Sequence, residues 1–426
     1  MRTVFSQAKA LLPAGITDAD VVTEDGRIAE ILPAGTAQAC ESTISAADKL
    51  LLPGFVNAHT HAYMTLLRGR GDDLPFMDWL FGRILPMEDK LTPEDAYWGT
   101  QLALLEMLRT GTTCYNDMYI HAAANGQAAK DAGMRAVLSK GLVGDAADDP
   151  GGLERLQTAT DEMRLFADCD RLSFRLAPHA PYTCAPGYLQ TVAAAAKELG
   201  VGIHTHLCES KAEIAQIREK YNCTPFEMFA ESGIFDSPTV AAHCVYMTES
   251  DMDIAVQHGV AVASNPVSNL KLGNGIAPIA RMLEKGIIVS LGTDGAASNN
   301  ALNMIRELGY LALLQKGVTG QPEVLPAAKA IEIATIGGAA ALGMADRIGS
   351  IEVGKAADLT LIDLSDAHMQ PAGNIPASLA YAAGGSEVVC SMVGGRVLYQ
   401  DGDYKTLDEQ RIRYECQVIA ERFRNG

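Results

Sequence analysis

From about residue 50 to residue 300 the chain repeats one theme. A short apolar run is closed by a polar residue, and a stretch with apolar positions every three or four residues follows. The runs end near His59, Asp117, Leu142, His179, His206, His243, Asn265 and Asp294. The stretches between them have helical periodicity. The best marked starts at Thr92, with Pro93 in its first turn and Asp95 three residues after the cap. It carries Trp98, Leu102, Leu105 and Leu108 on one face and stops near Gly111. Strands alternating with helices predict a parallel sheet, and eight such units predict a (β/α)8 barrel. The two ends have another texture. Ala19–Val22, an Asp25-Gly26 turn and Ile28–Ile31 read as a hairpin. Ala357–Ile362, Val388–Val393 and Val397–Tyr399 read as strands, the last two joined at Gly394-Gly395, and a terminal amphipathic helix is expected over 407–423. The expected organisation is an α/β fold: a TIM-type barrel over 55–345, and a small β-sandwich domain built from residues 1–54 and 346–426.

Composition narrows the function. Hydrophobic residues make up 48% of the 426 and charged residues 20%, an ordinary globular balance, and the net charge is −18. So acidic a chain is a poor partner for nucleic acid or an anionic membrane. No apolar run reaches the ~18 residues of a membrane span. The segment MRTVFSQAKALLPAG lacks the apolar core of a signal peptide, so a cytoplasmic protein is expected. The nine cysteines include no CxxC pair, which argues for reduced thiols rather than a disulfide framework or a zinc ribbon.

The polar residues closing the apolar runs are the candidate chemistry. In Leu52-Pro53-Gly54-Phe55-Val56-Asn57-Ala58-His59-Thr60-His61 the two histidines are two apart on an extended segment, so both rings point to one side, where one cation can take both. In Ile203-His204-Thr205-His206-Leu207-Cys208-Glu209 the same spacing recurs, and either histidine could be the ligand. Glu209 lies three residues beyond and could sit over the barrel mouth as an acid. His243 and Asp294 each close an apolar strand. Taken singly, each of these has a bland reading as a cap or packed residue. Imidazoles and a carboxylate on several strands of one barrel, at the ends where catalytic groups project, make an open site suited to zinc or iron.

The motifs PGFVNAHTH, HTHLCE, AAHC and LGTDGAAS, in this order, resemble the amidohydrolase superfamily. The resemblance runs from Val21 to Val397. HTHAYMTLLRGRGDDLPFMDWL, LPMED, LAPHAPYTC and SNPVSNLKLGNGIAPI are similar to the branch that deaminates 5′-methylthioadenosine and S-adenosylhomocysteine. The resemblance implies that His59, His61, His206 and Asp294 bind one divalent metal, most simply Zn2+. It also implies that Glu209 shuttles a proton at the purine N1, that His243 bonds the attacking water, and that Asp294 accepts that water's proton. It assigns Glu88 to the ribose and His179 and Trp79 to the nucleoside, although Trp79 reads equally as core packing. A bound cation lowers the pKa of its water from ~15.7 toward ~7, which allows attack on C6 of adenine with release of ammonia. The implied partners are a small-molecule nucleoside and further copies of the chain in a homo-oligomer.

One departure bears on the substrate. Lys140 stands where the branch usually has an arginine, and Gly144–Gly152 holds no arginine where some members place a second. Lysine is a point charge, whereas arginine grips a carboxylate with two parallel bonds. Uncharged 5′ substituents are therefore expected to be handled at least as well as a homocysteine carboxylate. Among rival readings, a binuclear amide hydrolase would need a bridging lysine on the fourth strand, and Ser173–His179 contains none. Deamination of guanine or cytosine, or triazine dechlorination, would use nearly the same metal frame, but would leave Glu88 without a ribose to hold. A scaffold barrel without activity would have no use for so complete a set of ligands and acid.

Overall fold

The computed structural model describes residues 2–38, 40 and 42–425. Five strands come first: β1 (Arg2–Leu12), β2 (Gly15–Glu24), β3 (Arg27–Pro33), β4 (Ser42–Ser45) and β5 (Lys49–Pro53). Eight follow: β6 (Phe55–Thr60), β7 (Thr112–Tyr119), β8 (Arg135–Leu142), β9 (Leu172–Pro178), β10 (Gly202–Leu207), β11 (Thr239–His243), β12 (Ala261–Ser264) and β13 (Val289–Leu291). These eight pair in parallel, each with its neighbour in sequence, and helices intervene. No ladder pairs β13 with β6 among the described residues, but the Thr293 and Asp294 N–H groups, just past β13, both donate to His59 O on β6, at 3.1 and 3.0 Å, and side chains add to them. Asn57 Nδ2 donates to Thr293 Oγ1 at 2.7 Å, and the Thr293 N–H donates to Asn57 Oδ1 at 3.0 Å. Gly292 permits the approach, because a Cβ there would stand 2.7 Å from the His59 carbonyl oxygen. The expected barrel is the observed one.

The chain ends in β14 (Leu359–Asp363), β15 (Val388–Val393), β16 (Arg396–Gln400), β17 (Asp403–Tyr404) and a helix Glu409–Asn425. β14 pairs antiparallel with β5, so both ends of the chain share one nine-stranded sheet. The sheet curls on itself. The Ile28 N–H reaches Lys355 O and the Ala357 N–H reaches Gly26 O, both at 2.9 Å, enclosing a small core of Phe5, Val21, Ile28, Leu51, Leu359 and Met392. A buried, two-pronged pair of Arg135 and Asp358 (2.6 and 3.1 Å) joins this sheet to the start of β8.

The helix Pro93–Arg109 has the cap its sequence announces: the Asp95 N–H donates to Thr92 Oγ1, and the Thr92 N–H donates to Asp95 Oδ2. The terminal helix lies against it, with Cys416 Sγ donating to Trp98 O at 3.3 Å. Strand β1 has no counterpart in the sequence reading. Its pairing with β2 shifts between Phe5 and Ala8, with Gln7 at φ 60°, and the bulge changes which alternate positions are buried. Among the described residues, no helix is long and apolar enough to cross a membrane.

Candidate active site

The strand-end residues converge. The ligand atoms of His59, His61 and Asp294 lie within 4.8 Å of one another, as do those of His59, His206 and His243. Asp294 Oδ1 stands 3.4 Å from His59 Nε2 and 3.3 Å from His61 Nε2. All of these side chains are buried.

Their outer hydrogen bonds fix which ring nitrogen is bare. His61 Nδ1 faces the Met118 carbonyl and His206 Nδ1 faces the His179 carbonyl at 2.7 Å. A carbonyl only accepts, so each Nδ1 carries the proton and each Nε2 keeps its lone pair. For His59 the chain of donors is longer. Ser139 Oγ donates to Asp117 O at 2.6 Å and so can accept from His204 Nδ1 at 3.4 Å. His204 Nε2 is then free to accept from His59 Nδ1 at 2.8 Å, which leaves the His59 Nε2 lone pair buried without a partner. The sequence left His204 and His206 open; the structure faces His206 to the cluster and sets His204 behind His59.

Two bare lone pairs, on His61 and His206, face each other at 3.3 Å. Lone pairs at that separation repel unless a cation lies among them, so the donor set fits a divalent metal with N and O ligands. Burial holds His59 neutral, with its pKa down to about 3, and lowers those of His206 and His243 as well. Neutral imidazole is the state a metal needs. Burial alone would raise the Asp294 pKa; positive charge on His59, His61 and His243 would pull it well below the carboxylate range, and with those rings neutral that charge is the one a bound cation would supply.

Glu209 follows β10 and is buried in the same cavity. Burial, then the charges of Asp294 and Glu213, raise its pKa well above the usual carboxylate value, which favours its protonated form. Its Oε2 is 3.9 Å from His243 Nε2, and its Oε1 accepts from Asn274 Nδ2 at 3.0 Å. The buried Glu213 holds the turn by accepting the N–H groups of Cys208 (2.7 Å) and Glu209 (2.9 Å). Cys208, His243, Cys244 and Asp294 all have φ between 50° and 71°, a left-handed backbone that disfavours residues with a Cβ. Such strain, of order 1 kcal/mol each, gathers at the C-terminal ends of β10, β11 and β13, where it aims these side chains.

The cavity extends outward over about 830 Å3. Glu88 lines its wall and accepts from Tyr119 Oη at 2.7 Å; burial raises its pKa to about 7, against the pull of that bond. Trp79, on the helical turn Asp78–Ile84, lines the same wall and stacks with Phe76 at 6.2 Å. It thus belongs both to the core and to the cavity. His179 also lines the cavity, 4.9 Å from the His206 ring, with Nδ1 on Thr183 Oγ1 at 2.9 Å. Lys140 lines the outer part, but its ammonium is engaged by the Ile120 carbonyl and by Glu162 at 3.4 Å. The sequence reading missed Arg155, which also lines the outer part and has no ion-pair partner among the described residues. It lies one helical turn beyond Gly151, another lining residue, and that i, i+4 spacing was the available signal. The three histidines without an expected role lie elsewhere: His121 bonds Leu91 O at 3.0 Å, His368 pairs with Glu387 at 2.7 Å, and His258 packs near Phe235.

Known proteins share this architecture. The amidohydrolase family matches residues 50–398. A 5-methylthioadenosine/S-adenosylhomocysteine deaminase of Desulforudis audaxviator is 45% identical over 432 residues, covering 99% of each chain. The crystal structure of an adenosine deaminase from Xanthomonas campestris with bound zinc superposes with a TM-score of 0.95 at 34% identity, covering 100% of this chain and 99% of that one. An atrazine chlorohydrolase from Arthrobacter aurescens, 23% identical with a TM-score of 0.91, shares the fold. With a family match across the barrel and a relative alike over nearly its whole length, the chain belongs to the amidohydrolase family.

Proposed function

We propose that the chain is a metal-dependent hydrolytic deaminase of adenosine-type nucleosides: 5′-methylthioadenosine, S-adenosylhomocysteine, 5′-deoxyadenosine and adenosine. The observation that carries this reading is one cavity lined by the ligand cluster and by two buried carboxyls, Glu209 and Glu88, with Glu209 Oε2 3.9 Å from His243 Nε2. The names of the relatives support it. A free base would have no use for Glu88, which separates this reading from guanine or cytosine deamination.

His59, His61, His206 and Asp294 would hold one ion, Zn2+ on this reading. When bound, that ion would acidify a water enough to make it nucleophilic at neutral pH. The remaining work falls to the chain. Glu209 gives its proton to the purine N1, which drains electron density from C6 and makes attack there possible. His243 has Nδ1 on Asn269 Oδ1 at 2.8 Å, so its bare Nε2 faces the cavity, ready to accept from the attacking water. Asp294, held ionised, is the base for the water's proton. The amino group leaves as ammonia once it has been protonated, and an inosine-type product remains. Glu88 accepts from the ribose hydroxyls, His179 and Trp79 border the nucleoside, and Lys140 and Arg155 face the 5′ substituent.

The test is ammonia release, or the adenine-to-hypoxanthine absorbance change, across a panel of adenosine derivatives with metal analysis alongside. Turnover of 5′-substituted adenosines, abolished by chelation and restored by Zn2+, is expected. Turnover of guanine or cytosine in place of any nucleoside would overturn the reading.

A further inference from the structure

Glu209, His243 and Asp294 stand at the ends of three different strands, β10, β11 and β13. A single short segment after β12 touches all of them. In the helix Pro266–Lys271 and the turn that follows, Ser268 Oγ donates to Asp294 Oδ2 at 2.6 Å, Asn269 Oδ1 accepts from His243 Nδ1 at 2.8 Å, and Asn274 Nδ2 donates to Glu209 Oε1 at 3.0 Å. All three side chains are buried.

The segment is internally tied and externally anchored. The Asn274 N–H donates to Asn269 O at 2.8 Å, so the residue holding Glu209 hangs on the residue holding His243. Glu307 Oε2 takes the Val267 N–H at 3.1 Å, and Lys271 Nζ reaches Asn300 Oδ1 at 2.8 Å. Each contact selects an orientation. Ser268, with Ser298 at 2.7 Å, occupies Asp294 Oδ2 and keeps Oδ1 turned to His59 and His61. Asn269 Oδ1 accepts the hydrogen bond from His243 Nδ1–H, which leaves Nε2 bare. Asn274 occupies Glu209 Oε1, which leaves Oε2 to carry the proton toward the cavity.

Resting on the deaminase reading, we propose that Ser268, Asn269 and Asn274 are positioning residues that act as one unit, holding Asp294, His243 and Glu209 in mutual register for the reaction. Misplacing reacting groups by ~1 Å costs up to ~100-fold in rate. Residues acting as a unit show strongly non-additive losses.

The experiment compares Ser268→Ala, Asn274→Ala and the double variant with the wild-type holoenzyme, reading kcat, KM, bound zinc and thermal midpoint. Each single change should lower kcat by about tenfold or more, with KM within about threefold and zinc content unchanged. The double variant should lose far less than the product of the two. Ser268→Thr, which keeps the hydroxyl, should recover most of the rate. Unchanged kcat, multiplicative losses, or losses that follow zinc content or thermal midpoint would each overturn the proposal, and Asn274→Ala alone carries the test if Ser268→Ala folds poorly. Wild-type turnover is the reference. If the wild type deaminates no nucleoside, the functional reading fails by itself. The positioning of Asp294 is then read from zinc affinity, which Ser268→Ala should weaken about tenfold; unaltered affinity would overturn it.

Discussion

At the inner end of the cavity every imidazole and carboxylate is buried, and each has a partner on the side facing away from the centre. Met118 O stands behind His61, His179 O behind His206, His204 behind His59, Asn269 behind His243 and Asn274 behind Glu209. At the outer end Lys140 is already committed to Glu162 and Ile120 O, whereas Arg155 is exposed and has no ion-pair partner among the described residues. One end is preorganised by strand ends and strained turns; the other is set by a helix and a loop. Burial makes each inner charge costly and therefore determined by its neighbours. The exposed Arg155 sits in high dielectric, where a single pair is worth about 1 kcal/mol or less. The inner end should therefore set whether the reaction occurs, and the outer end which substituent is preferred.

The largest expected effect follows from the inner end. Glu209→Gln keeps the shape and the bond from Asn274 but has no proton to give. It should bind the metal at wild-type stoichiometry while kcat falls by about 1,000-fold. Asp294→Asn, at 3.3–3.4 Å from two ring nitrogens, should lower both metal content and rate. Metal analysis paired with steady-state rates checks both. Full activity in either variant would break the distinction between the two ends.

How legible these ends were in the sequence follows the same line. The HxH of β6 was readable because a period of two sends His59 and His61 to one side, and the apolar run before it marks a buried strand. The eight barrel strands were readable for that reason. β1 was not, because the bulge between Phe5 and Ala8 breaks the alternation. His204 and His206 share one side of β10, and only tertiary packing sends one of them behind His59. Ser268, Asn269 and Asn274 follow no period: SNPVSNLKLGNGIAPI contains them, but which carboxyl or ring each one holds depends on how β10, β11 and β13 come together. Arg155 was not legible from the loop, because it lies past Gly152 on the exposed face of the following helix.

Glu88 lies between the ends and tests whether the middle of the cavity behaves like the inner site. Its pKa is raised by burial from 4.5 to about 7. A raised carboxyl contributes stability that is fully present below about pH 4.5 and is lost as the pH rises through about 7, because the folded state must then bury a charge. Glu88→Gln has nothing to titrate. In the ligand-free protein its stability relative to the parent should therefore improve by about 2–3 kcal/mol between pH 4.5 and pH 8. Denaturant midpoints at several pH values check this. A difference independent of pH would mean that the Glu88 carboxyl is solvated like the outer groups.

The smallest effect belongs to the rim. The expectation drawn from Lys140, that uncharged 5′ substituents do at least as well as a carboxylate, took no account of Arg155. A guanidinium free of ion pairs can grip a carboxylate with two bonds, and a lysine held by Glu162 cannot. Arg155→Ala should lower kcat/KM for S-adenosylhomocysteine by about fivefold to tenfold, the ~1 kcal/mol of a partly exposed pair, and leave 5′-methylthioadenosine within about twofold. Lys140→Ala should change the ratio of the two substrates less than Arg155→Ala does. Equal losses on both substrates would place Arg155 in the fold rather than in recognition. If neither variant moves the ratio and the wild type favours the carboxylate substrate tenfold or more, neither residue reads the substituent, and the preference must come from groups deeper in the cavity.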